Sequence, residues 1–238
     1  MHRLPAIPSR HAVTGVIAVV GCDGSGKSTL TADLYAHLRD AQPTELLYLG
    51  QSSGNIAQWI RGVPVIGPAF GRYLVRRAER AHTKDDKAAA PDLATALVIH
   101  LLSRWRYHKF RRVLVLSRRG VRVITDRYPQ AEVPGFYFDG PGLVAAGSTS
   151  RCVRWLAARE LRLYQRMASH VPALLIRLNI DAETAHARKP DHKRAMLHDK
   201  VTVIPTLHFN GARILDLDGR DPYPQVLQAA LDAALAAA

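Results

Sequence analysis

The segment VTGVIAVVGCDGSGKSTL, at residues 13–30, carries three structural patterns in succession. Residues Val16–Val20 are apolar and mostly β-branched, which is typical of a strand buried on both faces. Gly21–Ser28 then fits GxxxxGK[ST] at every defined position, and leucines recur every fourth residue after it, as in an amphipathic helix. These patterns predict a phosphate-binding loop, because a chance glycine turn would not require the flanking strand and helix.

The chemistry of this loop indicates a nucleoside triphosphate. Glycines let successive backbone N–H groups turn toward one anion, and the helix N-terminus adds partial positive charge. Lys27 would contact the β- and γ-phosphates of ATP, and the Ser28 hydroxyl would coordinate Mg²⁺. We therefore expect ATP and Mg²⁺ as cofactors, and the predicted nucleotide-binding residues are Gly21, Asp23, Gly24, Ser25, Gly26, Lys27, Ser28 and Thr29.

The composition is strongly basic. The chain has 238 residues, with 33 Lys and Arg against 20 Asp and Glu, and a pI near 10.3. Its length suits one α/β domain over residues 1–238. The charge favours a polyanionic partner, a membrane surface or a phosphate-rich substrate, although an Arg-rich composition also arises in a GC-rich genome. Charge alone gives no reason to expect nucleic-acid binding, and the sequence leaves a homodimer open.

The cysteines and the apolar segments bear on localisation. Cys22 lies inside the predicted loop, where a disulfide to Cys152 would obstruct a ligand, so we expect a reducing, cytoplasmic compartment. No apolar run approaches the ~18 residues of a membrane span, and residues 1–13 lack the apolar core of a signal peptide. We expect no transmembrane segment and at most peripheral membrane contact.

A long helix is predicted over residues 92–119. Four large apolar side chains fall on one stripe there, namely Leu93, Leu97, Leu101 and Trp105. Between residues 101 and 122 the chain carries eight basic residues and no acidic one. Three interpretations are open for this basic segment: a solvated helix face, a surface that lies on anionic lipid, and arginines that reach a substrate phosphate. For the third, Arg104 and Arg106 are the acceptor-binding candidates.

A second strand is predicted at residues 45–49 and a third at 121–125, directly before Asp126 and Arg127. Ligands bind outside the carboxyl ends of the strands in doubly wound sheets, so Asp126 would lie beside the phosphate loop. Its carboxylate would hold Mg²⁺ or its water shell together with Ser28, and Arg127 would neutralise a phosphoryl oxygen. The alternative is structural, with Asp126 capping a turn and Arg127 pairing with it.

The rest of the chain continues the α/β pattern. Residues 129–150 predict an ordered loop, whose adjacent aromatic residues either cover an acceptor or pin the loop to the core. With residues 50–120 it forms the predicted acceptor-binding region. The charged segment that starts at Arg188 predicts a lid at about 188–200, because loops that close over transferring phosphates carry Arg or Lys. Further helices are predicted at 152–168, after Asp181 as N-cap, at 193–207 and from about 224, with strands at 173–180 and 212–217.

Taken in order, these motifs resemble the thymidylate kinase family of P-loop nucleoside monophosphate kinases. The matching elements are G-x-D-G-x-G-K-S after the first strand, D-R-Y after the third and an Arg-bearing lid after the fourth. The resemblance covers nearly the whole chain and implies a three-layer α/β/α P-loop NTPase fold with a five-stranded parallel sheet. It also implies transfer of the γ-phosphoryl group of ATP to a small-molecule acceptor.

The resemblance further implies roles for individual residues. The catalytic set would be Lys27, Asp126, Arg127 and Arg188. Asp23 matches a loop carboxylate near the acceptor sugar, and Arg127 would also serve the acceptor phosphate. The turn at Asp218–Asp221 matches the region where backbone groups contact adenine.

Two acceptor-binding features of that family are absent. GQSSGN, at residues 50–55, replaces R-E-P-G-G after the second strand, and PQAEVPGFYF, at residues 129–138, replaces S-S-x-A-Y-Q after D-R-Y. Both family segments help to hold thymidine monophosphate. We therefore expect a kinase for another small-molecule acceptor, one that is phosphorylated because Arg127 still offers an anion contact. The alternative function is a nucleotide-dependent binding or regulatory module without phosphoryl transfer.

Overall fold

The structure is a computed structural model that describes residues 4, 9–50, 91–144 and 150–237. Predictions for residues 51–90 and 145–149, which include most of GQSSGN and part of the acceptor-binding region, lie outside the described residues. The elements are β1 (His11–Gly21), α1 (Lys27–Leu38), β2 (Thr44–Tyr48), α2 (Leu93–Arg118), β3 (Arg122–Asp126), a 3₁₀ turn (Phe136–Phe138), α3 (Arg151–Ala168), β4 (His170–Asn179), α4 (Ala182–Arg188), α5 (Arg194–Val203), a second 3₁₀ turn (Ile204–Thr206), β5 (Ile214–Asp218) and α6 (Tyr223–Ala236).

The five strands form one parallel sheet in the order β2-β3-β1-β4-β5, which confirms the predicted fold class. The register aligns Val19 of β1 with Asp126 at the end of β3, and Gly21 of β1 with Leu178 of β4. The glycine-rich loop therefore leaves the sheet between the carboxyl ends of β3 and β4. This is the edge at which parallel α/β sheets bind ligands.

Helices cover both faces of the sheet. Successive residues of β1 point to opposite sides, so this strand contributes side chains to the core on each face. Val16 and Val20 pack with side chains of α2, α3 and α5 on one face. Ile17 and Val19 pack with α1 and α6 on the other face. The uninterrupted apolar run in β1 is thereby explained, since both sides of this central strand lie in the core.

Most predicted elements are present, with shifted ends. β1 begins at His11, well before the predicted start, and β3 includes Asp126 as its last residue. Residues 194–206, nearly the whole of the predicted 193–207, are helical and form α5 and the second 3₁₀ turn despite their β-branched side chains. Asp181 caps α4, because its Oδ1 accepts a hydrogen bond from the Thr184 backbone N–H at 2.7 Å.

The apolar stripe of α2 does not face the core. Leu93, Leu97 and Leu101 are 47%, 45% and 47% exposed. The buried side of α2 instead carries Ala96, Ser103, Arg106 and Phe110, among others. The physical reason is tertiary packing, because Ala96 packs with side chains of α3 and Phe110 packs in the core cluster beside the sheet. The four-residue leucine spacing thus marks a surface of this helix.

Two buried polar side chains order the loop after β3. Gln130 Nε2 donates to the Val133 carbonyl at 2.8 Å, and Gln130 Oε1 accepts from the Val133 N–H at 2.9 Å. Glu160 of α3 accepts from the Ser103 hydroxyl at 2.7 Å and from the Leu143 N–H at 2.7 Å. Burial raises the pKa of the Glu160 carboxyl. The loop is therefore attached to both α2 and α3.

We predict that Glu160→Ala destabilises the fold. The substitution leaves the Ser103 hydroxyl and the loop N–H groups without their buried acceptor, so the free energy of unfolding should fall by about 3 kcal/mol. Arg162→Ala, at an exposed position of the same helix, should change it by less than about 0.5 kcal/mol. Urea unfolding measures both variants, and equal midpoints for Glu160→Ala and wild type would contradict the assigned role.

Candidate functional site

The phosphate loop requires glycine at separate positions for separate reasons. Gly24 and Gly26 have φ angles of +86° and +92°, which glycine adopts without strain. At Gly21 the limit is space, because an added Cβ would lie 2.6 Å from Ser25 Oγ and 2.7 Å from the Leu178 carbonyl oxygen. The glycine pattern of the motif therefore follows from the geometry of this loop.

Two polar side chains of the loop are buried within it. Lys27 Nζ donates to the Cys22 carbonyl at 3.0 Å, and burial together with the charge of Arg127 lowers the pKa of Lys27. Ser25 Oγ is buried and has no hydrogen-bond partner among the described residues. Buried polar atoms normally have a partner, so Ser25 Oγ is suited to a ligand oxygen.

Ser28 and Asp126 meet across the gap between α1 and β3, as predicted. The Ser28 hydroxyl donates to Asp126 Oδ2 at 2.8 Å. The other carboxylate oxygen, Asp126 Oδ1, is buried without a hydrogen-bond partner in the described part of the chain. Mg²⁺ prefers oxygen ligands and usually takes only one or two from the protein. This hydroxyl, with its adjacent unsatisfied carboxylate oxygen, fits such an ion.

Asp23 is the centre of a cluster of basic side chains. Its carboxylate contacts Lys200 Nζ, Arg127 Nη2 at 2.8 Å, Lys27 Nζ at 3.5 Å and His192 Nδ1 at 3.7 Å. Burial alone would raise the pKa of Asp23, but the charges of Lys200, Lys27 and Arg127 lower it far below its ordinary range. The cluster connects the phosphate loop with the end of β3 and with α5.

Asp139 forms a second junction beside this cluster. Arg106 Nη2 donates to Asp139 Oδ1 at 2.8 Å, and Arg127 Nη1 lies 3.6 Å from Asp139 Oδ2. Arg127 and Asp139 have φ angles of +74° and +61°, an uncommon region for residues other than glycine. Such strain is often found at functional sites. Burial alone would lower the pKa of Arg127, but Asp139 and Asp23 raise it above its ordinary value.

A cleft of about 340 Å³ opens beside the loop, with Thr29, Leu178, Gly219 and Tyr223 among its lining residues. Arg188 also lines it, and its Nη1 donates to the Gly219 carbonyl at 3.0 Å and to the Gly24 carbonyl at 3.2 Å. Arg188 therefore bridges the phosphate loop and the turn after β5. The aromatic and apolar walls of the cleft suit a flat base.

Another cleft, of about 360 Å³, lies at the opposite edge of the sheet and is lined by His11, Ser117, Arg118 and His170, among others. It contains none of the predicted site residues. The chemistry-bearing side chains described above lie instead at the carboxyl edge.

The predicted acceptor-binding arginines differ in position. Arg106 is buried against Asp139 and above the ring of Tyr164, so it reaches Arg127 only through Asp139. Arg104 is exposed on the outer side of α2, and no described contact joins it to Asp23. A direct role of either arginine in binding an acceptor stays a prediction.

Sequence reasoning missed Lys200, Asp139 and Lys109. Lys200 is the last residue of the predicted lid range, but it is 177 residues from its partner Asp23 in the sequence and no role was predicted for it; Asp139 lies in a loop where the sequence drew attention only to the aromatic residues. Lys109 Nζ donates to the Gly50 carbonyl at 2.7 Å, and burial together with Arg106 lowers its pKa to about 8. A count of basic residues in this helix gave no sign of that contact.

The aromatic residues of the loop after β3 have two surroundings. Phe138 packs against the core cluster between the sheet and α2. Tyr137 lies beneath Lys200, whose Nζ is 5.7 Å from the ring centroid. The loop is therefore both attached to the core and in contact with the charged cluster.

The comparisons with known proteins identify relatives over nearly the whole chain. The chain is 57% identical over 222 residues to the "uncharacterized ATP-binding protein YghS" of Escherichia coli K12, and the match covers 93% of each protein. It is 44% identical over 223 residues to the "uncharacterized ATP-binding protein YghR" of the same strain, covering 94% of this chain and 88% of YghR. The chain belongs to the YghS/YghR family. No protein-family model matches it.

We predict that Asp23→Asn destabilises this YghS/YghR-family protein at neutral pH. It would leave Lys27, Arg127 and Lys200 without their shared counter-ion, at a cost of about 3 kcal/mol in the free energy of unfolding. The pKa of Asp23 is lower in the folded state, so its ionisation stabilises the fold. That contribution is complete above the unfolded-state pKa of about 3.9 and is lost as the pH falls through the folded-state value.

The stability difference between wild type and Asp23→Asn should therefore shrink by about 1 kcal/mol between pH 7 and pH 3. Chemical denaturation at the two pH values measures it. Asp40→Asn is the matched control, because Asp40 is exposed and pairs only with Arg39 among the described ion pairs. It should change the stability by less than about 0.5 kcal/mol at either pH. A difference for Asp23→Asn that grows at pH 3 would contradict the charge-cluster account.

Proposed function

We propose that this protein is an ATP-dependent kinase that transfers the γ-phosphoryl group to a small, phosphorylated acceptor. The observation that carries the proposal is the convergence of Lys27, Arg127 and Lys200 on Asp23, beside the pair of Ser28 and Asp126. Binding of ATP alone needs the loop, its lysine and the metal ligands. Arg127 and Lys200 add charge from outside the loop, which suits a second anionic substrate.

The names of the E. coli relatives support ATP as the nucleotide. YghS and YghR are both named ATP-binding proteins. In the proposed complex the triphosphate lies in the loop from Gly21 to Ser28, and the base occupies the cleft beside Tyr223 and Arg188. The Ser25 hydroxyl, which has no hydrogen-bond partner in the described ranges, then donates to a phosphate oxygen. In this arrangement the γ-phosphate would point toward Asp126 and Arg127.

The residues at the end of β3 support a divalent cation as cofactor. Ser28 Oγ and Asp126 would hold Mg²⁺, which neutralises charge on the β- and γ-phosphates when it is bound. Asp126 is the last residue of a buried strand, so the position of its carboxylate is fixed by the core. Lys27 contacts the neutral Cys22 carbonyl at 3.0 Å and the Asp23 carboxylate at 3.5 Å. It can exchange the carbonyl contact for a phosphate oxygen, because an ionised acceptor binds an ammonium group more strongly than a neutral one does.

In the proposed step, an acceptor oxygen forms a bond to the γ-phosphorus as the bond to the β–γ bridging oxygen breaks. ADP leaves with that electron pair. Lys27 and Arg127 stabilise the charge on the equatorial oxygens, whereas Arg188 holds the Gly24 and Gly219 carbonyls beside the base cleft. Asp23, whose pKa is strongly lowered, is a weak base. A phosphate acceptor fits this site better than an alcohol, since its oxygen is already ionised at neutral pH.

We predict that Lys27→Ala weakens ATP binding by about 10- to 100-fold, because it removes a charge-assisted contact to the phosphates. Isothermal titration calorimetry with ATP and Mg²⁺ measures the affinity. Arg39→Ala removes an exposed cation at the far end of α1 and should leave the affinity unchanged. Equal ATP affinity and activity of Lys27→Ala and wild type would exclude this loop as the nucleotide site.

A coupled ADP-release assay over nucleoside monophosphates, sugar phosphates and lipid-linked phosphates tests the transfer reaction. We expect at least one phosphorylated compound to raise ADP release above the water-only rate, and its unphosphorylated counterpart to be at least about 100-fold poorer. Asp126→Asn should lower turnover by about 100-fold or more. dTMP should be a poor acceptor, because both family segments that hold it are absent from the sequence.

Two results would overturn parts of this proposal. A kcat/KM for dTMP above roughly 10⁴ M⁻¹s⁻¹ would restore thymidylate as the acceptor. ADP release that never exceeds the water-only rate, in a protein that binds ATP normally, would instead favour a nucleotide-dependent binding module.

A further inference from the structure

Helices α2 and α3 present a surface that the proposed reaction does not use. It consists of the exposed side chains of the two helices, and we call it the α2–α3 face. Its apolar part contains Leu93, Leu97 and Leu101, together with Trp155, which is 55% exposed. Its charged part contains nine exposed arginines, including Arg104, Arg111 and Arg159. Large exposed apolar side chains in such a group usually mark a binding surface.

The two helices form one continuous surface. Residue numbers rise in the same direction along both helices, since Ser103 contacts Glu160 and Arg106 lies above Tyr164. The helices therefore run parallel, side by side. The leucine-bearing end of α2 contacts α3 directly, because Ala96 of α2 packs with Val153 and Leu156 of α3. The apolar and basic side chains thus belong to a single face.

The charge on this face is of one sign. The described sequences of α2 and α3 contain one carboxylate, Glu160, and that residue is buried. A second copy of the chain would have to bring one set of arginines against another, which opposes pairing through this face. A partner with a negatively charged surface matches the face in sign.

The apolar part of the α2–α3 face favours a lipid bilayer over nucleic acid as the anionic partner. Leu93, Leu97 and Leu101 recur every fourth residue, so they project from one line along α2. The guanidinium of Arg159 lies 4.6 Å from the centroid of the Trp155 ring. Aliphatic side chains next to Trp and Arg are typical of segments at a membrane interface, where the apolar groups enter the acyl region and the cations contact headgroups. Nucleic acid offers no comparable apolar environment.

The apolar end of the face lies near the proposed active site. Lys109 of α2 contacts the Gly50 carbonyl at the carboxyl end of β2, so residues N-terminal to Lys109 extend beyond that edge of the sheet. The leucines occupy this extension. None of the described helices is long and apolar enough to cross a membrane, so contact with lipid through this face would be interfacial.

We propose that the α2–α3 face binds the surface of an anionic lipid bilayer, with the leucines and Trp155 inserted at the interface and the arginines on the lipid phosphates. The inference does not depend on phosphoryl transfer. Full-length protein should sediment with vesicles of phosphatidylcholine mixed with phosphatidylglycerol and not with phosphatidylcholine alone. Added salt should weaken binding, because it screens exposed charges.

Variants separate the charged from the apolar contribution. Arg111→Gln with Arg159→Gln should weaken vesicle binding by about 20-fold or more, from about 5-fold for each charge. Leu97→Ser with Leu101→Ser should weaken it by at least about 10-fold. The matched controls are Arg39→Gln, directly after α1, and Leu235→Ser, on α6; both positions are exposed, and the two helices lie on the other side of the sheet. Both controls should bind vesicles as wild type does, and circular dichroism checks that all variants are folded.

Several results would overturn the proposal. Binding to neutral vesicles as strong as to anionic ones, or no binding to either, would do so. Duplex DNA binding that is tighter than vesicle binding and unaffected by the leucine substitutions would assign the face to nucleic acid. A dimer that the leucine substitutions dissociate, with vesicle binding unchanged, would assign it to self-association.

Discussion

The charge balance at Asp23 is the constraint on which the rest of the site depends. Lys27, Arg127 and Lys200 come from three separate segments and lie within contact distance of one carboxylate. In a poorly solvated region such cations repel one another strongly unless an anion lies between them. Asp23 therefore sets the distance between the phosphate loop, the end of β3 and α5. It also keeps the cations close to a position where a second anion can approach.

The fold class was predictable from local patterns because each pattern has a single physical cause. The apolar run in β1 belongs to a central strand covered on both faces, and the loop sequence tolerates no side chain at Gly21. The orientation of α2 was not predictable in the same way. Its leucines form the clearer stripe, but Ala96 and Ser103 lie on the buried side with Phe110. Which side of a helix is buried depends on the neighbouring helix, and a pattern within one helix does not contain that information.

In the candidate site, too, local patterns predicted some residues, and others depend on tertiary contacts. Ser28 and Asp126 were predictable as a pair, because the motif and the end of a core strand place both at one edge of the sheet. The contacts of Lys200 and Asp139 were not, since Lys200 is one of several basic residues in the predicted lid range and Asp139 lies in a loop without a motif. Arg106 shows the opposite case. Its basic character suggested a substrate contact, whereas its described partner is the carboxylate of Asp139. A residue count cannot separate these cases because they differ only in tertiary contacts.

The contacts of Asp139 connect α2 to the phosphate loop. Asp139 accepts a hydrogen bond from Arg106 of α2 and lies 3.6 Å from Arg127 at the end of β3. Arg127 in turn contacts Asp23 of the phosphate loop at 2.8 Å. Because Arg106 belongs to a helix of 26 residues whose leucine end is exposed, the positions of these ion pairs depend on where α2 lies against the sheet. The position of the outer helix and the spacing of charges in the loop are therefore not independent of each other.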